Sequence, residues 1–294
     1  MNQTPGTASP GRRLKDLMAD HTVALPGAIN ALTARLIERT GFEAMYLSGA
    51  VLSNSVLGVP DIGLATLTEA AAHATRCAAV TTIPIIMDAD TGFGSAAENA
   101  ARTVEEYERA GLAGLHLEDQ EFPKRCGHLP GKKLVPQSEF VERVRAAAEA
   151  RKDPDFLIIA RTDARGVSGY DDAVARANAY LAAGADVIFP EALEGEEEFA
   201  RFASDVSAPL LANMTEFGKT PYLPVSRFAE LGYKLVIFPV TLQRVAMKAA
   251  ERALLELRTQ GTQAGLLDAM QTRAELYDLL GYQMAAPQPS EGER

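Results

Sequence analysis

Short apolar runs recur along this chain. Each is followed by a longer stretch in which apolar residues return every three or four positions. The runs cover residues 23–25, 44–47, 83–87, 114–117, 156–160, 187–189, 210–212 and 235–238. They are rich in Ile, Leu, Val and aromatic residues and show little polar alternation, as parallel strands buried on both faces should. The stretches between them, 29–40, 67–80, 96–110, 138–151, 170–183 and 196–206, have the period of amphipathic helices. Thr66 and Ser138 stand where N-caps are wanted. Strands alternating with helices in this way predict an α/β fold, a (β/α)8 TIM-type barrel. The rival, a doubly wound open sheet, would carry a glycine-rich phosphate loop after its first strand, and none is present.

Two further helices, 242–259 and 262–280, follow the eighth run, where a barrel needs one. On the second, Leu266, Leu267, Met270, Leu276 and Leu279 recur at roughly helical spacing, so one face wants cover. A closed symmetric oligomer can supply that cover. Residues 1–11 and 284–294 are rich in Pro, Gly and Ser and read as disordered tails around a single domain, 12–283.

Composition narrows the function. With 47% apolar and 23% charged residues the 294-residue chain can bury a large core. A formal charge of −10 argues against a nucleic-acid or anionic-membrane partner, since phosphate demands a basic face. No apolar run is long enough to span a bilayer, and the N-terminus lacks the apolar centre of a signal peptide. These features predict a cytoplasmic protein. There are two cysteines, Cys77 and Cys126. Cys77 lies in an Ala-rich helical stretch and reads as a small buried hydrophobe. Cys126 lies between Lys124-Arg125 and Gly127-His128 in a turning loop. A cation-rich setting lowers a thiol's pKa and makes it a usable acid, base or nucleophile at neutral pH.

Polar residues collect where a barrel places its chemistry, at the C-terminal ends of strands. The runs exit into Ser48-Gly49, Asp88-Ala89-Asp90, Glu118-Asp119, Arg161-Thr162-Asp163, Glu191, Asn213-Met214-Thr215 and, after Pro239, Arg244. A single such residue is more often a helix cap or a loop charge. Seven strands in agreement are not. Asp88, Asp90 and Glu118 offer hard oxygen ligands suited to Mg²⁺ or Mn²⁺. Arg161, Arg244 and Arg273 are planar forks for carboxylates. This set suits a small oxyacid and not a nucleotide, for which no P-loop is present.

At YLSG (46–49), LGVPDIG (57–63), DADTGFG (88–94), LHLEDQ (115–120), KRCGH (124–128), ARTDA (160–164), FPEA (189–192), NMTEFG (213–218) and MQTRAELY (270–277), the chain resembles the isocitrate lyase/phosphoenolpyruvate mutase superfamily. The resemblance runs from about Leu14 to Tyr282, and KRCGH resembles the signature of its lyase branch. It implies a Mg²⁺ site at Asp88, Asp90 and Glu118, with Mn²⁺ as a substitute. It implies Cys126 as catalytic acid/base, with Tyr46 and His128 beside it. Ser48, Gly49, Ala50, Gly127, Arg161, Glu191, Asn213, Met214, Thr215, Arg244 and Arg273 would line a di- or tricarboxylate substrate, with Asp61 on a gating loop. Ala50 stands where the family often has glycine; a backbone contact there needs only negative φ. The implied assembly is a homotetramer that swaps C-terminal helices between barrels.

The implied reaction is retro-aldol cleavage of a 2-methylisocitrate-type oxyacid to pyruvate and succinate, a step of propionate catabolism. A base takes the C2 hydroxyl proton, the C2–C3 bond breaks, and Cys126 protonates the succinate carbanion. Tyr46 and a metal-linked carboxylate both remain open as the base. Phe189 and Ile237 would form an apolar niche for the methyl group. Such a niche discriminates by only about 1–3 kcal/mol, so isocitrate, 2,3-dimethylmalate and oxaloacetate stay as alternative substrates. Outside this chemistry stand a hydrolase with an activated water and a non-catalytic oxyacid-binding barrel.

Overall fold

The computed structural model describes residues 8–125, 127 and 131–282. Cys126 and His128 lie outside the described residues, as do 1–7 and 283–294. The chain divides into two compact units, Met1–Val245 and Ala246–Arg294. The single span 12–283 expected from sequence crosses that boundary.

The first unit holds eight strands: β1 Val23–Pro26, β2 Met45–Leu47, β3 Ile85–Asp88, β4 Gly114–Glu118, β5 Leu157–Thr162, β6 Val187–Pro190, β7 Leu211–Asn213 and β8 Leu235–Phe238. All pair in parallel, as β2-β3-β4-β5-β6 and β1-β8-β7. Parallel bridges Gly27–Tyr46 and Ile188–Leu210 join the two groups at both seams, and the ring closes into the barrel.

The period of two along each strand sorts its side chains into two apolar layers. Val23, Leu25, Tyr46, Ile86, Ile159, Phe189, Leu211, Leu235 and Ile237 pack with one another inside the barrel. Met45, Leu47, Met87, Leu115, Leu117, Ile158, Ile188 and Val236 pack outward in the larger layer shared with the helices. Cys77, on helix Leu67–Ala78, is fully buried in that outer layer, and burial pushes its thiol up to about 11.

Two local differences from the sequence reading have physical causes. An extra helix, Pro10–Asp20, starts inside the stretch assigned to the N-terminal tail. Ser9 caps it, accepting from the Arg12 N–H at 3.1 Å, and proline holds its first turn. Its Leu14 and Met18 join the barrel's inner layer. The helix expected over 138–151 begins one residue earlier, at Gln137, so Ser138 lies inside the helix and Pro136 precedes it. Thr66 does cap its helix, in a reciprocal box with Glu69.

The second unit contains the rest of helix Thr241–Gln260, a 3-10 turn Ala264–Ala269 and helix Arg273–Leu280. The single helix expected over 262–280 is therefore broken. Thr272 restarts it as an N-cap, accepting from the Glu275 N–H at 3.2 Å while Glu275 accepts from the Thr272 N–H at 2.6 Å. Among the described residues no helix is long and apolar enough to cross a membrane.

Candidate active site

The inner-layer register carries straight into the site. Two residues beyond an inward-facing position comes a polar one: Ser48 after Tyr46, Asp88 after Ile86, Glu118 after His116, Arg161 after Ile159, Glu191 after Phe189, Asn213 after Leu211. Side chains two apart on a strand share a face, so these groups converge above the apolar interior at the C-terminal rim.

Oxygen atoms of Asp88, Asp90 and Glu118 come within 4.8 Å of one another, and all three residues are buried. Asp90 adopts φ +46°, a left-handed conformation that Asp tolerates better than most residues. Two bonds hold it there. Its N–H donates to Asp88 Oδ1 at 2.9 Å, and its carbonyl accepts from the Glu118 N–H at 2.9 Å. Asp88 Oδ2 accepts from the Gly49 N–H at 3.2 Å. Lys124, only 4% exposed, places its ammonium 2.8 Å from Asp90 and 2.5 Å from Asp61. The structure thus brings Asp61 to the site through Lys124.

A single buried ammonium does not balance these clustered carboxylates. Burial raises the Asp90 carboxyl to about 6 despite Lys124. Burial also lifts Glu118 well above the usual carboxylate range, against the pull of Arg161 and Lys124. Among the described residues, Glu118 Oε1 is buried without a hydrogen-bond partner. Three clustered oxygen donors, one of them orphaned, fit a hard divalent cation. Burial works against the Lys124 ammonium too, but the carboxylates around it outweigh that and hold its pKa well above normal.

Arg161 is the second centre. Its guanidinium lies 3.3 Å from Glu118 and 3.2 Å from Glu191, and donates twice to Asp163, at 3.0 and 3.1 Å. It also sits over the Phe189 ring, 5.2 Å from the centroid. Burial opposes the Asp163 charge, yet Arg161 and Lys132 hold its pKa below normal. Asn213 Nδ2 reaches Glu191 at 3.3 Å, and its Oδ1 is buried without a partner among the described residues. Gly127 packs against this cluster. A Cβ there would fall 2.4 Å from Arg161 Nη2 and from Glu191 Cγ, so only glycine fits.

Below the carboxylates, Tyr46 and His116 are 2.7 Å apart. Burial, with Arg161 nearby, lowers His116 to about 3, so the ring is neutral. Burial and Asp88 raise the Tyr46 phenol well above its ordinary value, so it donates its proton to Nε2. That network leaves the ring proton on Nδ1, 3.6 Å from Asp88 Oδ1.

The other expected residues are placed less centrally. Ser48, Gly49 and Met214 are buried at strand ends, while Ala50 and Thr215 are half-buried. Ala50 lies in the short helix Gly49–Val51 with negative φ, so its methyl group is tolerated. Arg244 is held by Glu216 at 3.3 Å and over Phe217 at 5.1 Å from the ring centroid. Arg273 opens the last helix of the second unit.

Lys132, Asp163 and His116 were not among the expected site residues. For His116 and Asp163 the signal was available. His116 precedes Glu118 by one strand period, and Asp163 follows Arg161 by one.

Comparison with known proteins agrees with this geometry. A family model described as phosphoenolpyruvate phosphomutase matches residues 14–258. A 2-methylisocitrate lyase of Aeropyrum pernix is 54% identical over 274 residues, covering 93% of this chain and 88% of the relative. One of Escherichia coli is 44% identical over 275 residues, covering 93% of each. Among solved structures, 2,3-dimethylmalate lyase superposes with a TM-score of 0.88 at 37% identity, covering 94% of this chain and 92% of that one.

Proposed function

The chain belongs to the phosphoenolpyruvate phosphomutase family, and from that premise we propose that it is a carbon–carbon lyase cleaving 2-methylisocitrate to pyruvate and succinate. The observation that carries the reading is the juxtaposition of the Asp88/Asp90/Glu118 cluster with the Arg161–Glu191–Asn213 cluster on one rim. One side suits a hydroxyl-carboxylate head, the other a dicarboxylate tail.

Asp88, Asp90 and Glu118 would hold Mg²⁺, which when bound supplies Lewis acidity at the substrate's C2 oxygens. Lys124 keeps Asp90 oriented by its ion pair and ties Asp61 to the same point. The C2 hydroxyl proton passes to the carboxylate side. Tyr46 is already protonated and donates to His116, so the accepting group is a carboxylate of the Asp88/Asp90/Glu118 cluster. Charge then develops on the succinate half. Asn213, Thr215 and Arg244 face that charge with fixed donors, and Cys126 delivers the proton that completes succinate. Glu191 holds Asn213 through its amide. Phe189 and Ile237, partners of Arg161 and Asn213 in the strand register, form the apolar floor against which the methyl group rests.

Under the same reading the protein is a cytoplasmic homotetramer that exchanges its C-terminal helices. The apolar exposure of the second unit supports an assembly. Met247 is 62% exposed, Leu254 67% and Leu267 61%, and helix Thr241–Gln260 buries none of its residues.

The test is a substrate panel of 2-methylisocitrate, isocitrate, 2,3-dimethylmalate and oxaloacetate, scored by kcat/KM with Mg²⁺. The reading expects 2-methylisocitrate to lead by at least about tenfold, the scale of a methyl niche. A lead by any of the other three would replace it.

A further inference from the structure

Lys132 lies beyond the residues assigned above to binding or chemistry, yet it is almost fully buried, with a side chain 3% exposed. Its ammonium has two partners. It donates to Asp163 Oδ1 at 2.8 Å, and it donates to the carbonyl oxygen of Gly127. Asp163 is itself fixed. It accepts two bonds from Arg161, and its N–H donates to the buried Asp119 at 2.9 Å. Asp119 in turn accepts from Thr162 and Tyr180 at 2.8 Å each. A continuous charged chain therefore runs from the β5 end through Lys132 to the backbone at Gly127. A second observation points the same way: Gly127 is seated so closely on Arg161 and Glu191 that no Cβ fits.

We infer that Lys132 is a positioning residue that tethers the Gly127 backbone to the Asp163–Arg161 pair and so sets the register of the peptide next to Cys126. A charge-assisted bond to a buried carbonyl is strong, and losing it leaves that carbonyl unsatisfied. Asp163 supplies the charge that lets Lys132 stay buried. One cation thereby ties the Gly127 carbonyl to an Asp163 that Arg161 and Asp119 hold in place independently. The ammonium is compact, and the site is built for that. Gly166 lies beside it, where an added Cβ would fall 3.3 Å from Nζ, tighter than an ordinary contact.

The catalytic arm of the test rests on the lyase reading; the structural arm does not. Lys132→Met keeps the length of the side chain and removes both bonds. In hydrogen–deuterium exchange, the peptide spanning 121–136 should exchange about tenfold faster, while β5 is unchanged. With 2-methylisocitrate, kcat should fall about tenfold to a hundredfold with KM within about twofold, because the proton donor and not the substrate is misplaced. Unchanged exchange in 121–136 would overturn the tether. Faster exchange with wild-type kcat would overturn the positioning role. A wild-type protein inactive on every oxyacid overturns the lyase reading instead, and the exchange arm alone then decides for Lys132. Should Lys132→Met fail to fold, Lys132→Leu, which also removes both bonds with a smaller apolar side chain, carries the same two readouts.

Discussion

Replacing Arg161 by Met would leave three buried carboxylates, Glu118, Asp163 and Glu191, without the guanidinium that all three touch. Each of the three is at most 2% exposed at its side chain, so water cannot replace the lost cation. Breaking one buried ion pair from one side costs about 3–5 kcal/mol. The three pairs share one cation and are not additive, so the upper end of that range is the expectation for the whole centre. At roughly 2–4 °C per kcal/mol for a chain of this size class, the melting midpoint should fall by about 10–20 °C.

The loss should depend on pH. Without Arg161, burial raises the folded-state pKa of Glu118 still further above its unfolded value, and Asp163 keeps only Lys132 to hold its own down. The penalty is then fully present above the raised pKa and is relieved as pH falls through it, because the folded state takes up protons first. The difference between Arg161→Met and wild type should therefore be larger at pH 8 than at pH 5. Thermal melts followed by circular dichroism at both pH values and one scan rate would measure it. A midpoint within about 3 °C of wild type at pH 8, or a difference that grows on acidification, would refute the reasoning.

Other expectations follow from the same geometry. Cys126→Ser should keep the wild-type melting midpoint and lose at least about a hundredfold in kcat, whereas Cys77→Ser, buried in the outer layer, should leave kcat unchanged; steady-state kinetics on both variants decides. Chelation should abolish turnover, and Mg²⁺ added back should restore it and raise the melting midpoint at pH 8, as an ion binding only the folded state must. Asp90→Asn should remove that Mg²⁺-induced rise, read by calorimetry. Truncation after Thr259 should lower the oligomeric mass in light scattering together with activity; a fully active monomer in either form would contradict the assembly.

The barrel was legible because all eight strands are short runs of branched apolar residues between amphipathic stretches, and each observed strand overlaps its expected run. The rim was legible for the same reason, since polar residues sit one strand period beyond the inward-facing ones. Elements fixed by capping and not by periodicity were missed or misplaced. Helix Pro10–Asp20 depends on Ser9 and Pro10, which read as tail composition. The break before helix Arg273–Leu280 depends on Thr272 and Glu275 inside an otherwise helical pattern. The long-range chain from Asp119 through Asp163 to Lys132 lay beyond sequence reasoning, because nothing local marks a lysine as buried. Its burial follows from where the strands bring its partners.

The central claim is that C2–C3 cleavage leaves a carbanion on the succinate half that the protein then protonates. Running the reaction on 2-methylisocitrate in deuterium oxide and reading both products by NMR tests it most directly. The account predicts succinate carrying a single deuterium on one methylene carbon, and pyruvate with an unlabelled methyl group at early times. Succinate without deuterium, or deuterium delivered first to the pyruvate methyl group, would contradict it.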